Sequence, residues 1–166
     1  MNIEELKCED SSEFEIERYI EFYNSVKSNM SFPNWLGNFN VEKLKNVFSM
    51  GGECWVYSKD SEIICSVMFI PADEESLRLF GIFEQNVKFG ECGPIMVNPK
   101  YVGNALQRQM LNKLDKFCKQ NGCSYILTTI HPDNVISINN FVKCGYEYKS
   151  TFNLKRGERD LYLKKL

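Results

Sequence analysis

Between residues 93 and 130 the chain reads strand, loop, helix, strand, and that order admits few folds. Gly93-Pro94-Ile95-Met96-Val97 is a short apolar strand that must stop at Pro99, because proline has no N–H for a ladder hydrogen bond. Past the loop, Leu106, Met110, Leu111, Leu114, Phe117 and Cys118 recur at helical spacing, while Gln107, Arg108, Gln109, Asn112, Lys113 and Lys116 form the opposite, polar face. Asn121-Gly122 closes this helix with a left-handed C-cap. Ser124-Tyr125-Ile126-Leu127-Thr128-Thr129-Ile130 is then a strand rich in branched and aromatic side chains. Strand, helix, strand at this spacing makes a right-handed parallel crossover, so a βαβ unit sits at the centre of the fold.

The loop between that strand and helix carries chemistry. The first turn of a helix presents unpaired N–H groups and the positive end of the macrodipole. Gly103 permits backbone torsions closed to other residues, and Ala105 adds only a methyl, so an anion can approach the amides of residues 102–107. On its own the loop is equally consistent with a plain entry into a core helix.

The flanking segments make the sheet mixed. Ser11-Ser12-Glu13 supplies N-cap chemistry for a helix with apolar positions Ile16, Tyr19, Ile20, Tyr23 and Val26. A loop over residues 31–38 holds Phe32 and Trp35, which are candidates to line a substrate pocket, and a second helix follows at residues 41–50. Residues 54–57 and 63–70 form an antiparallel hairpin, and residues 76–80 read as a short helix. Asp133 is placed to cap a helix through Ser137 to Lys143, and residues 146–154 and 159–163 flank a polar turn at Lys155-Arg156-Gly157-Glu158. Residues 1–9 are a short strand or a polar entry. With 166 residues, 43% of them hydrophobic, the expectation is one α/β domain over residues 1–166.

Composition narrows the partners. A net charge of -2 offers no basic field to attract nucleic acid. Seven scattered cysteines without a C-x-x-C pair, and a single histidine, argue against a disulfide framework and against a bound metal, and fit reduced thiols in a cytoplasmic protein. No apolar run is long enough for a membrane span or follows a basic start as in a signal peptide. The expectation is a soluble monomer or homodimer.

The element order β-α-α-β-β-β-α-β-α-β-β carries two separated motifs. They are Val97-x-Pro99-x-Tyr101-x-Gly103-x-x-Leu106, and His131-Pro132-Asp133-Asn134-x-x-Ser137 followed by Lys143-Cys144-Gly145-Tyr146. Together they resemble the GNAT family of acyl-CoA-dependent N-acetyltransferases. The resemblance implies the GNAT-type fold: a mixed, mostly antiparallel sheet with a central parallel βαβ unit and splayed strands. It also implies that an amine acceptor attacks acetyl-CoA directly. The family's loop, R/Q-x-x-G-x-G/A, falls on residues 102–107, where Val102 replaces the basic or amide residue, Ala105 the first glycine and Gln107 the second small residue. Backbone amides still bind pyrophosphate without those side chains.

The resemblance further implies that Ile95, Met96 and Val97 lie along the pantetheine arm, with a backbone N–H polarising the thioester carbonyl. Val102, Gly103, Asn104, Ala105, Leu106 and Gln107 would cradle the pyrophosphate, and Asn134, Ser137, Phe141 and Lys143 would complete the cofactor site. Lys100 and Arg108 are further candidates for the phosphates. The family's acidic tyrosine falls on Phe141, which has no proton to give, so Cys144, Tyr146 or Tyr148 stands as candidate donor to the leaving thiolate. Glu91, beside the central strand, is the candidate general base, with His131 as the other. The implied function is acetyl transfer to a primary amine of a small molecule, amino acid or peptide. The alternative is a non-catalytic acyl-CoA-binding or sensing domain, suggested by the departures at Val102, Ala105 and Phe141.

Overall fold

A computed structural model describes the chain except Glu84 and Gln85. Its elements are β1 (Lys7–Glu9), α1 (Ile16–Ser28), α2 (Val41–Ser49), β2 (Glu53–Lys59), β3 (Glu62–Pro71), α3 (Glu74–Leu79), β4 (Phe89–Val97), α4 (Leu106–Gln120), β5 (Tyr125–Ile130), α5 (Val135–Lys143), β6 (Glu147–Leu154) and β7 (Gly157–Lys165). Among the described residues seven strands form one sheet in the order β1-β2-β3-β4-β5-β7-β6. β4 and β5 are the parallel pair, as the crossover required, and the other neighbours are antiparallel.

Two apolar layers sandwich the sheet. On one face Met110, Leu111, Leu114 and Cys118 of α4 are fully buried against Ile64, Cys65, Val67 and Ile126, which is the face the helical spacing marked as apolar. On the other, Tyr19, Tyr23 and Val26 of α1 and Leu44 and Val47 of α2 pack on Cys54, Val56, Met68 and Met96.

Several boundaries differ from the sequence expectation. Ser11 and Ser12 do not cap α1; they belong to a turn in which Asp10 accepts the Ser12 N–H at 2.9 Å, and the helix starts at Ile16 behind Glu15, which makes no capping bond. Asp133 does not cap α5 either. Asn134 does, accepting the Ser137 N–H at 3.2 Å. β4 begins at Phe89, four residues earlier than the apolar run suggests, because a strand paired on both sides accepts glycines and Glu91 that pattern reading discounts.

Candidate active site

The cleft arises where β4 and β5 part. They pair only through Phe89, Gly90 and Glu91 against Tyr125, Ile126 and Leu127. Where the ladder stops, the Thr128 hydroxyl reaches the Cys92 carbonyl at 3.3 Å, and beyond it β5 continues with β7 while β4 stays with β3. A bulge helps drive the separation: Val67 faces Ile95 and Phe69 faces Cys92, so Gly93 and Pro94 together oppose one residue of β3.

The register leaves polar groups open along this edge. Asn98 donates its N–H to Ile64 at 2.8 Å, and antiparallel pairing alternates, so Met96 bonds toward β3 while Ile95 and Val97 direct their N–H and C=O toward the gap left by β5. A ligand with amide groups would complete that edge as an added strand.

The cleft, about 830 Å³, runs from this edge to the α4 N-terminus in one direction and to the loop after α1 in the other. At the α4 end, Asn98 folds residues 99–101 into a tight turn by accepting the Lys100 and Tyr101 N–H groups, and the Tyr101 hydroxyl donates to Glu62 at 2.9 Å. The chain then passes through Gly103 at φ 93° and Ala105 at φ 57°. Ala105 thus holds a left-handed conformation that costs a residue with a Cβ about 1–2 kcal/mol. It precedes α4 without a side-chain cap, so among the described residues no side chain accepts from the first-turn N–H groups, which border the cleft. Gln107 bridges the helices: its amide donates to the Ser137 hydroxyl at 3.0 Å and accepts from Asn140 at 2.8 Å. Arg108 and Lys143 border the same end, whereas Lys100 pairs with Glu62 at 2.8 Å and is turned away.

Asn134, by contrast, spends its side-chain oxygen on its own helix. Asn134→Ala should lower stability by about 1 kcal/mol, and Asn134→Asp, which keeps the accepting oxygen, should restore it. Urea unfolding of the three proteins measures both.

At the other end lie Glu91, Trp35, Leu36, Phe39, Ile70 and Arg156. Burial raises the Glu91 carboxyl to about 7, with Arg156 partly opposing the rise and Asp73 adding to it. A carboxyl of that affinity at the fork of the two strands is suited to exchange protons near neutrality.

The cleft brings together most, not all, of the residues singled out from sequence. Ile95, Met96, Val97, Val102, Gly103, Ala105, Leu106, Gln107, Asn134, Ser137, Phe141, Lys143, Glu91 and Trp35 line it. Asn104 instead donates its side chain to the Tyr101 carbonyl at 3.0 Å. Phe32 is 58% exposed and stacks on the outer side of Trp35 at 4.9 Å. The candidate proton donors lie outside. Tyr146 is buried against Phe141 and donates to Asp115 at 3.3 Å, Cys144 points to the Arg108 carbonyl, and Tyr148 is on the exposed edge strand bonded to Thr151. Burial pushes both the Tyr146 and Cys144 groups up, which makes them poorer donors still. His131 is tied into its own turn, its Nδ1 accepting the Asp133 N–H at 3.2 Å.

Sequence reading missed Arg156 and Arg159. Arg159 is fully buried and donates to the Asn34 carbonyl at 2.6 Å, fastening the loop after α1 to β7. A charge near a hairpin turn looks like any solvated charge until the hairpin is folded back over the cleft.

A profile described as the Acetyltransferase (GNAT) family matches residues 4–146. No curated protein matches the sequence. Among solved structures, a ribosomal-protein-alanine N-acetyltransferase from Brucella melitensis is similar at 16% identity, covering 97% of this chain and 100% of that one with a TM-score of 0.74. A GNAT family acetyltransferase from Streptococcus agalactiae 2603 is 18% identical, covers 97% and 98% of the two chains and has a TM-score of 0.74. An acetyltransferase from Bacillus subtilis, solved with CoA, is 12% identical over 97% and 99% of the chains, with a TM-score of 0.66.

Proposed function

The chain belongs to the acetyltransferase (GNAT) family, and from that membership we propose that it moves an acetyl group from acetyl-CoA to a primary amine held beside Glu91. The observation that carries the reading is the continuous cleft. It joins an uncapped helix N-terminus, an open strand edge at Ile95 and Val97, and a carboxyl with affinity near neutrality. The CoA in the Bacillus subtilis relative supports the same donor.

The residues fit such a donor. The N–H groups after Gly103 and Ala105, with Arg108 and Lys143, would hold the pyrophosphate, and the polar groups of Ile95 and Val97 would pair with the pantetheine amides. When bound, acetyl-CoA supplies an acyl carbon activated as a thioester. Glu91 takes the proton from the acceptor ammonium, so that the nitrogen lone pair bonds the acyl carbon as the carbon–sulfur bond breaks. None of the sequence's candidate donors lines the cleft, so the sulfur leaves as thiolate and takes its proton from water. Seven unpaired thiols support a reducing, cytoplasmic setting.

Titration calorimetry should give binding of acetyl-CoA to the isolated protein, and a thiol-release assay should give turnover with at least one primary amine. No binding would overturn the reading. Binding without thiol release from any amine would favour a sensing domain instead.

A further inference from the structure

Resting on that function, we propose that the acceptor is a free α-amino acid with an apolar side chain, its carboxylate held by Arg156 and its ammonium by Glu91. The charges at the acceptor end carry the first part. Arg156 lines the cleft and forms no ion pair among the described residues. It lies over Gly37, where an added Cβ would sit 3.0 Å from its Nη1, so the glycine leaves room for the guanidinium at the wall. Arg108 and Lys143 belong to the α4 and α5 end, which leaves Arg156 as the lining cation at the acceptor end, near enough to Glu91 for its charge to act on the carboxyl. One carboxylate and one guanidinium facing a common space complement a zwitterion.

The walls carry the second part. Val26, Met30, Leu36, Phe39 and Ile70 are apolar, and Trp35 adds an aromatic face. The Arg159 bond to Asn34 fastens this wall to β7, so the compartment has a fixed side rather than a loose loop. A polyamine would set a second ammonium against Arg156. A peptide terminus or an amino amide would offer only a neutral carbonyl where the guanidinium expects charge, and forfeits the charge-assisted pair.

The test compares phenylalanine, phenylalaninamide and phenethylamine in the thiol-release assay, with acetyl-CoA binding followed by calorimetry on the same samples. Phenylalanine should have a kcat/KM about 10- to 100-fold above the other two, the worth of one charge-assisted pair. In Arg156→Ala that preference should fall toward one, in Arg156→Lys it should survive in part, and in Lys155→Ala, one residue away and outside the cleft, it should persist. Arg156 sits in an exposed turn, and an unchanged melting temperature confirms that the variants fold. Equal or better turnover of the amide or the amine overturns the proposal, as does acetyl-CoA binding with no turnover of any of the three. Absence of acetyl-CoA binding removes the function on which the proposal rests, and the proposal with it.

Discussion

Glu91→Gln should lower kcat/KM for the best acceptor by about 100- to 10,000-fold at pH 8, the range that general-base catalysis contributes. The wild-type kcat/KM should rise with pH to a plateau through an apparent value of about 7, where the carboxyl loses its proton, and the variant should lack that limb. At higher pH the wild-type value should fall as the free acceptor loses the ammonium proton through which Glu91 holds it, whereas the variant, which depends on the neutral amine, should rise there. Full activity in the variant would remove Glu91 from the mechanism. The same carboxyl gives a stability signature of known sign. Its folded value, raised from 4.5 to about 7, means that the folded protein holds the proton more tightly than the unfolded chain does. The stability this lends is present below pH 4.5 and is lost as pH rises through 7. Glutamine stays neutral throughout, so Glu91→Gln should match wild type at pH 4 and exceed it at pH 8 by about 3 kcal/mol, roughly 6–12 °C in Tm. A less active but more stable variant above neutrality is the expected pairing.

Leu111→Ala should cost about 3 kcal/mol of stability, because Leu111 is fully buried where α4 meets the sheet and its removal leaves a cavity that surrounding side chains fill only in part. Urea denaturation should record the loss as a lower midpoint with little change in slope. Acetyl-CoA affinity should change far less than stability at temperatures where the variant is folded. Leu111 lies in the second turn and points to the core, whereas the first-turn N–H groups are positioned by the turn at Gly103 and Ala105 and by the Gln107 bridge to α5. A drop in affinity as large as the drop in stability would show that the anion site depends on the whole helix rather than on its first turn.

How much of the site was legible depends on how each residue acts. Backbone sites announce themselves through what they exclude: Pro99 ends a strand, Gly103 permits left-handed torsions and Ala105 adds only a methyl, so the loop before α4 could be located from residue types alone, although the left-handed turn at Ala105 itself could not. Glu91 was legible only as a carboxylate near a strand, since its affinity comes from burial at the fork of β4 and β5. The proton donors failed for the same reason in reverse. Cys144 and Tyr146 follow α5 closely in sequence, yet the chain turns at Gly145 and carries both into the α4 side of the core.

The sequence by itself determined the βαβ crossover, the two amphipathic faces of α1 and α4 and the helix-entry loop, because periodicity, proline and glycine act within a few residues of where they stand. Tertiary structure alone decided the three-residue length of the β4–β5 pairing, and hence the cleft. It alone brought Arg156 and Arg159, more than 100 residues after Asn34 and Gly37, to the wall those residues form. Long-range contacts of this kind depend on where strands part and hairpins fold back, and local residue pattern carries no record of either.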